Sequence, residues 1–172
     1  PKGYLCPNPG LHEGTLCPGG YYCPNSGMAT TNYECSYKYY CPIGSSVMLP
    51  CTEGNYCPNN RLETPITCPI GNYCPSSELG YFLTCPKGNY CPSSGLKIYT
   101  PCDAGYYCPS LGMSARGPEC PIGHYCTIGS SLPNKCIKGS YCPNIGMSSP
   151  IQSPVGHYCP DFSMTNSILC PS

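Results

Sequence analysis

The chain has no tryptophan and only two phenylalanines, and leucine, isoleucine, valine and phenylalanine together number 25 of 172 residues. That share is below the level at which a chain ordinarily builds an apolar core, so a conventional globular interior is excluded. Charge is equally scarce. Eight basic and eight acidic residues balance to a formal net charge of zero, which leaves neither a basic stripe for nucleic acid nor like-charge repulsion to hold the chain open. No apolar run is long enough to cross a bilayer, and no charged-then-apolar leader stands at the start. Neither nucleic acid nor a membrane span is expected.

Chemistry is lacking too. No two cysteines lie closer than six positions, so the paired-thiolate knuckles that structural zinc requires are missing. His12, His124 and His157 are far apart, the acidic residues are scattered, and there is no H-E-x-x-H, G-x-S-x-G or phosphate-cradling glycine loop. The expectation is a protein that is not an enzyme and binds no cofactor or metal.

What the chain does have is 19 cysteines, 17 tyrosines, 23 prolines and 20 glycines. Cysteine at that density marks a disulfide scaffold in an oxidising compartment, hence an extracellular or cell-surface protein. The cysteines fall in a motif best seen at Cys68-Pro69-Ile70-Gly71-Asn72-Tyr73-Cys74-Pro75, a form of C-P-x-G-x-Y-C-P. Its second cysteine recurs at Cys6, Cys23, Cys41, Cys57, Cys74, Cys91, Cys108, Cys126, Cys142 and Cys159, roughly every 17 residues, giving ten repeats. Tyrosine precedes it in nine, with Leu5 the exception, and glycine stands three before it in nine, with Lys38 the exception. Such self-similarity signals a stack in which each unit leans on its neighbours.

A second period is superposed. Repeat lengths run 17, 18, 16, 17, 17 and then begin the same series again, and residues 1–85 lie over 86–170 without a gap at 38 identical positions. The chain therefore reads as two five-repeat blocks, 1–85 and 86–170, with 171–172 opening a further unit. It is expected to be a window on a longer array.

Proline followed two positions later by glycine predicts a β-turn for C-P-x-G, and x-Y-C a short extended piece that the next proline terminates. With this much proline and glycine no helix is expected. The predicted fold is a small disulfide-rich repeat, an elongated solenoid-like rod of ~17-residue turn and short-strand units.

Two pairings suit the cysteines. Bonds across the variable spacers would join Cys6 to Cys17, Cys23 to Cys35, Cys41 to Cys51, Cys57 to Cys68, Cys74 to Cys85, Cys91 to Cys102, Cys108 to Cys120, Cys126 to Cys136 and Cys159 to Cys170, leaving Cys142 alone. Bonds within the motif would instead strand Cys159, whose partner position is Ser153, along with Cys6 and Cys170. The first uses 18 of 19 cysteines and is the expectation.

Tyr22, Tyr40, Tyr56, Tyr73, Tyr90, Tyr107, Tyr125, Tyr141 and Tyr158 are expected to form a stacking column that covers the disulfides. Tyr21, Tyr37, Tyr39, Tyr99 and Tyr106 lie outside it and are candidates for contacts between chains. No N-x-[ST] sequon occurs, but the serine pairs Ser45 and Ser46, Ser76 and Ser77, Ser93 and Ser94, Ser130 and Ser131, and Ser148 and Ser149 are candidate sites for O-linked glycan.

The repeated Cys-Pro-x-Gly-x-Tyr-Cys with serine- and proline-rich spacers resembles the cysteine-rich arrays of growth-factor-receptor and ephrin-receptor-like type on protist surface proteins. The resemblance implies extracellular, disulfide-bonded, elongated modules and transfers no functional residue. The expected function is an extracellular structural protein, a rod or filament such as a fibre, flagellar hair or cell coat, whose partners are further copies of itself, end to end or lateral. The alternative is the stalk or ectodomain of a receptor or adhesin that binds protein or glycan. Glu34 to Tyr40 is the one irregular motif, and its counterpart Glu119 to Tyr125 is regular.

Overall fold

The computed structural model describes residues 1–8, 10 and 13–171. Among them there is no helix; the fold is a small disulfide-rich repeat with little regular secondary structure. Sixteen two-residue strands carry what regularity there is: β1 (Tyr4–Leu5), β2 (Thr15–Leu16), β3 (Tyr39–Tyr40), β4 (Leu49–Pro50), β5 (Asn55–Tyr56), β6 (Ile66–Thr67), β7 (Asn72–Tyr73), β8 (Leu83–Thr84), β9 (Asn89–Tyr90), β10 (Thr100–Pro101), β11 (His124–Tyr125), β12 (Asn134–Lys135), β13 (Ser140–Tyr141), β14 (Ile151–Gln152), β15 (His157–Tyr158) and β16 (Ile168–Leu169). Each odd strand pairs with the even strand that follows it. β9 to β16 sit 85 positions after β1 to β8, one for one.

Each strand pair begins at a tight turn one residue later than the motif predicts. The amide of Asn72 returns to the carbonyl of Pro69 at 3.1 Å, and Asn89 does the same to Pro86. Proline is thus the first residue of the turn and glycine the third, where Gly71 has φ +79°. A left-handed third residue is what this class of turn demands, and glycine takes it without a Cβ penalty. Proline is dispensable: Asn55 closes on Thr52 and Ser140 on Ile137 with the same 3.0 Å bond.

After the turn, x-Y runs out as one strand, the spacer loops back, and the two residues before the next first cysteine return antiparallel, as Asn55↔Thr67 and Tyr56↔Ile66. Each loop contains a second left-handed residue, three or four positions past the motif, including Gly10, Gly27, Gly44 and Gly95. Arg61, Glu78 and Ser163 hold that conformation without being glycine, as Lys38 does in the turn of the irregular repeat.

Contacts divide the chain into two compact units, Pro1–Leu83 with Ser94–Ile98, and Thr84–Ser93 with Tyr99–Ser172. In each, backbone hydrogen bonds tie repeat to repeat. In the first, Gly20 N–H donates to Cys41 C=O, Cys23 N–H to Ser45 C=O, Gly44 N–H to Cys17 C=O and Cys35 N–H to Gly20 C=O, at 2.7 to 2.9 Å. In the second, the same four bonds recur 85 positions later, from Gly105 to Cys126, Cys108 to Ser130, Gly129 to Cys102 and Cys120 to Gly105. Polar backbone that two-residue strands leave unpaired is satisfied by the neighbouring repeat, which makes the stack obligatory for each unit.

The interior is sulfur. All sixteen disulfide-bonded cysteines are completely buried, whereas Ile98, Ile128, Leu132 and Val155 stand mostly or wholly in solvent.

Candidate functional site

Eight disulfides close the motif, not the spacer: Cys17 to Cys23, Cys35 to Cys41, Cys51 to Cys57, Cys68 to Cys74, Cys85 to Cys91, Cys102 to Cys108, Cys120 to Cys126 and Cys136 to Cys142. The expected spacer-closing pairs are therefore wrong, and Cys142 is bonded, not solitary. The hairpin explains why. With Tyr56 opposite Ile66, Cys57 faces Pro65, three residues short of Cys68. At ~3.3 Å per residue that is about 10 Å, beyond the reach of a disulfide. The turn does the opposite: it brings Cys68 and Cys74 to 6.1 Å between Cα atoms.

The free cysteines among the described residues are Cys6, Cys159 and Cys170. Cys159 is buried at 4% exposure, with its Sγ 3.5 Å from the hydroxyl of Ser153. Serine stands where the bonding partner would be, and the backbone is unchanged, since Ser153 N–H still donates to Gly139 C=O at 2.9 Å.

Eight of the nine column tyrosines are half-buried, and Tyr158 is 41% exposed. In the ring pairs Tyr22–Tyr33 at 5.4 Å and Tyr56–Phe82 at 5.3 Å, a column tyrosine meets a loop aromatic. Repeats two and seven also carry a second tyrosine with charged neighbours of its own. Tyr21 bridges Glu34 through the backbone, and Arg61 both pairs with Glu34 and lies 5.4 Å over the Tyr21 ring. Tyr106 bridges Glu119 and donates its phenol to that carboxylate at 3.0 Å, with Arg116 4.1 Å over the ring. The Arg61 guanidinium holds the Glu34 carboxyl below the usual carboxylate range. The hydrogen bond to Glu119 raises the Tyr106 phenol, and the charge of Glu78 raises that of Tyr39. Sequence spacing showed the tyrosines; the arginine partners, 40 and 10 positions away from Tyr21 and Tyr106, carried no signal.

The serine candidates divide. Ser76, Ser77, Ser93, Ser94, Ser148 and Ser149 are exposed on loops, whereas Ser45, Ser46 and Ser131 are half-buried. Ser130 is buried at 8% and Ser45 donates to Pro42 C=O at 2.6 Å, so these two are structural and not sugar acceptors. His124 and His157 occupy strands β11 and β15, and His12 lies outside the described residues. No group of His, Cys, Asp or Glu among the described residues could hold a metal ion. A shallow open groove of about 420 Å³ lies between Thr52, Glu53, Ser77 and Lys97, with the Glu53 carboxylate and Lys97 ammonium paired at 3.2 Å across it. No helix of the described residues is long and apolar enough to cross a membrane.

These features define a cysteine-rich repeat protein of disulfide-stapled units, consistent with an extracellular structural role. Comparison of the chain with protein-family models and with curated proteins finds no match in either.

Proposed function

We propose that the chain is an extracellular structural element, a rod or filament component whose repeats associate with further copies of themselves. The carrying observation is the division of labour in each repeat. Its interior is a disulfide, the polar backbone that its turn and strand pair leave unpaired is met by neighbouring repeats, and its aliphatic side chains are left outside. Residues that face solvent while apolar, such as Ile43, Ile98, Ile128 and Leu132, are surface for lateral contact between copies. A charge count this low leaves little to oppose such association.

The resemblance to receptor-type cysteine-rich arrays supports the same compartment, and we read the protein as non-catalytic. O-linked sugar on the exposed pairs Ser76 and Ser77, Ser93 and Ser94, and Ser148 and Ser149 belongs to this reading. Electron microscopy of native material tests it. Filaments with a regular axial repeat are expected, and discrete short particles would support a receptor stalk or adhesin instead.

A further inference from the structure

In both units the turn of one repeat abuts the loop of the repeat two further on. A Cβ built on Gly3, Gly20 or Gly54 would strike the backbone of Gly44, Arg61 or Gly95, and one on Gly88, Gly105 or Gly123 that of Gly129, Gly146 or Ser163. Every partner is a left-handed loop residue 40 or 41 positions later. The backbone approach is uniform, so it cannot tell one repeat from another. The side chains beside it can.

Beside each turn glycine stands the variable residue x of C-P-x-G, and just past each left-handed loop residue stands a second variable residue, 43 or 44 positions after x. The x residues are varied: Gly19 is the one glycine among them, Glu53 the one acid and Tyr37 the one aromatic. The loop residues that have an x residue 43 or 44 positions before them in this chain are mostly small, with three departures: Glu63 and Lys97 are charged and long, and Gly80 is the one glycine. Each singular x residue meets a singular loop residue. Gly19 lies against the Glu63 side chain, so close that a Cβ there would overlap the carboxylate. A Cβ at Gly80 would fall inside the ring tip of Tyr37. Glu53 pairs with Lys97 at 3.2 Å. In the second unit the corresponding pairs are Lys87 with Ser131, Ala104 with Ser148, and Ile122 with Thr165, none of which sets like charges or two large side chains together.

We propose that residue x and the loop residue 43 or 44 positions later form a size-and-charge code by which the turn of one repeat selects the loop it accepts, fixing the order in which repeats stack. The surface it defines is a shallow slot on the turn, and its partner is a loop of the same repeat type carrying a side chain of complementary bulk or sign. The inference stands apart from the structural role proposed above, because it holds whether or not copies associate.

Amide exchange on the oxidised full chain, with the disulfide map of every variant verified by peptide mass, tests it. Glu53→Lys and Lys97→Glu singly are expected to speed exchange of the Gly95 and Cys74 amides, which bond to Cys68 and Leu96 carbonyls, about threefold, as for an exposed pair. The double swap is expected to restore the wild-type rate; rates that simply multiply would overturn the code. Independently, Gly80→Leu is expected to speed the Glu78 and Cys57 amides tenfold or more by overpacking, and Tyr37→Ala in the same chain to recover most of it. An unaltered Gly80→Leu, or one that Tyr37→Ala leaves unrescued, would equally refute the proposal.

Discussion

Two single residues show how local chemistry is set within an otherwise repeated frame. At Ser153 a hydroxyl replaces a sulfur, 3.5 Å from the Cys159 Sγ, with the turn and its backbone bonds intact. Ser153→Cys is therefore expected to form a ninth bond spontaneously, lowering the thiols titrated in denaturant from the three of Cys6, Cys159 and Cys170 to two. In the chain-entropy account so short a loop adds about 2 kcal/mol; four titratable thiols in the oxidised variant would contradict the geometry. At Glu34 the cause is the hydrogen bond from the Arg61 guanidinium, to which its charge adds. Because Arg61 lowers its carboxyl in the folded chain, the contact stabilises above the unfolded carboxyl's titration and is lost as pH falls through the depressed value. Carboxyl chemical shifts followed against pH should place Glu34 below the chain's unpaired glutamates, and Arg61→Gln should bring it back among them.

One repeat is a turn, a two-residue strand pair and a loop, and its two left-handed residues are what make it stackable. Gly88 and Gly139 have the same φ of +81°, yet a Cβ on Gly88 would meet the Gly129 carbonyl, while Gly139 has nothing within 4 Å. Alanine at Gly139 should cost only the left-handed penalty, about 1 kcal/mol. Alanine at Gly88 should add an overpacking cost of about 1 to 3 kcal/mol. Exchange of the Ser153 amide, bonded to Gly139, and of the Cys102 amide, bonded to Gly88, reads the two separately. Equal effects would mean that the close approach between repeats carries no energy. The turn glycine was legible in the motif, since it recurs in nine of ten repeats. The loop residue was not, because Arg61, Glu78 and Ser163 occupy it as readily as glycine does elsewhere and so break the letter pattern while keeping the conformation.

For the molecule as a whole, sulfur replaces the apolar interior, so reduction should remove what hydrophobic burial would otherwise preserve. Treating the protein with a strong thiol reductant is expected to abolish amide protection throughout, at temperatures and pH where the oxidised chain keeps it. Protection that outlasts the eight bonds would mean that the backbone ladders and half-buried tyrosines suffice alone. The repeat, its turn, the exclusion of helix and the 85-residue recurrence were all determined by the order of residues, because cysteine spacing, proline and glycine act on the chain within a few positions. Which cysteines join was decided only in three dimensions. Both pairings satisfy the spacing, and the choice follows from an antiparallel register that holds Cys57 and Cys68 apart while the turn draws Cys68 to Cys74. The partners of Tyr37, Glu53 and Gly19 likewise lie more than 40 positions away, a separation that local pattern cannot bridge and only the stacking of one repeat against the second one after it supplies.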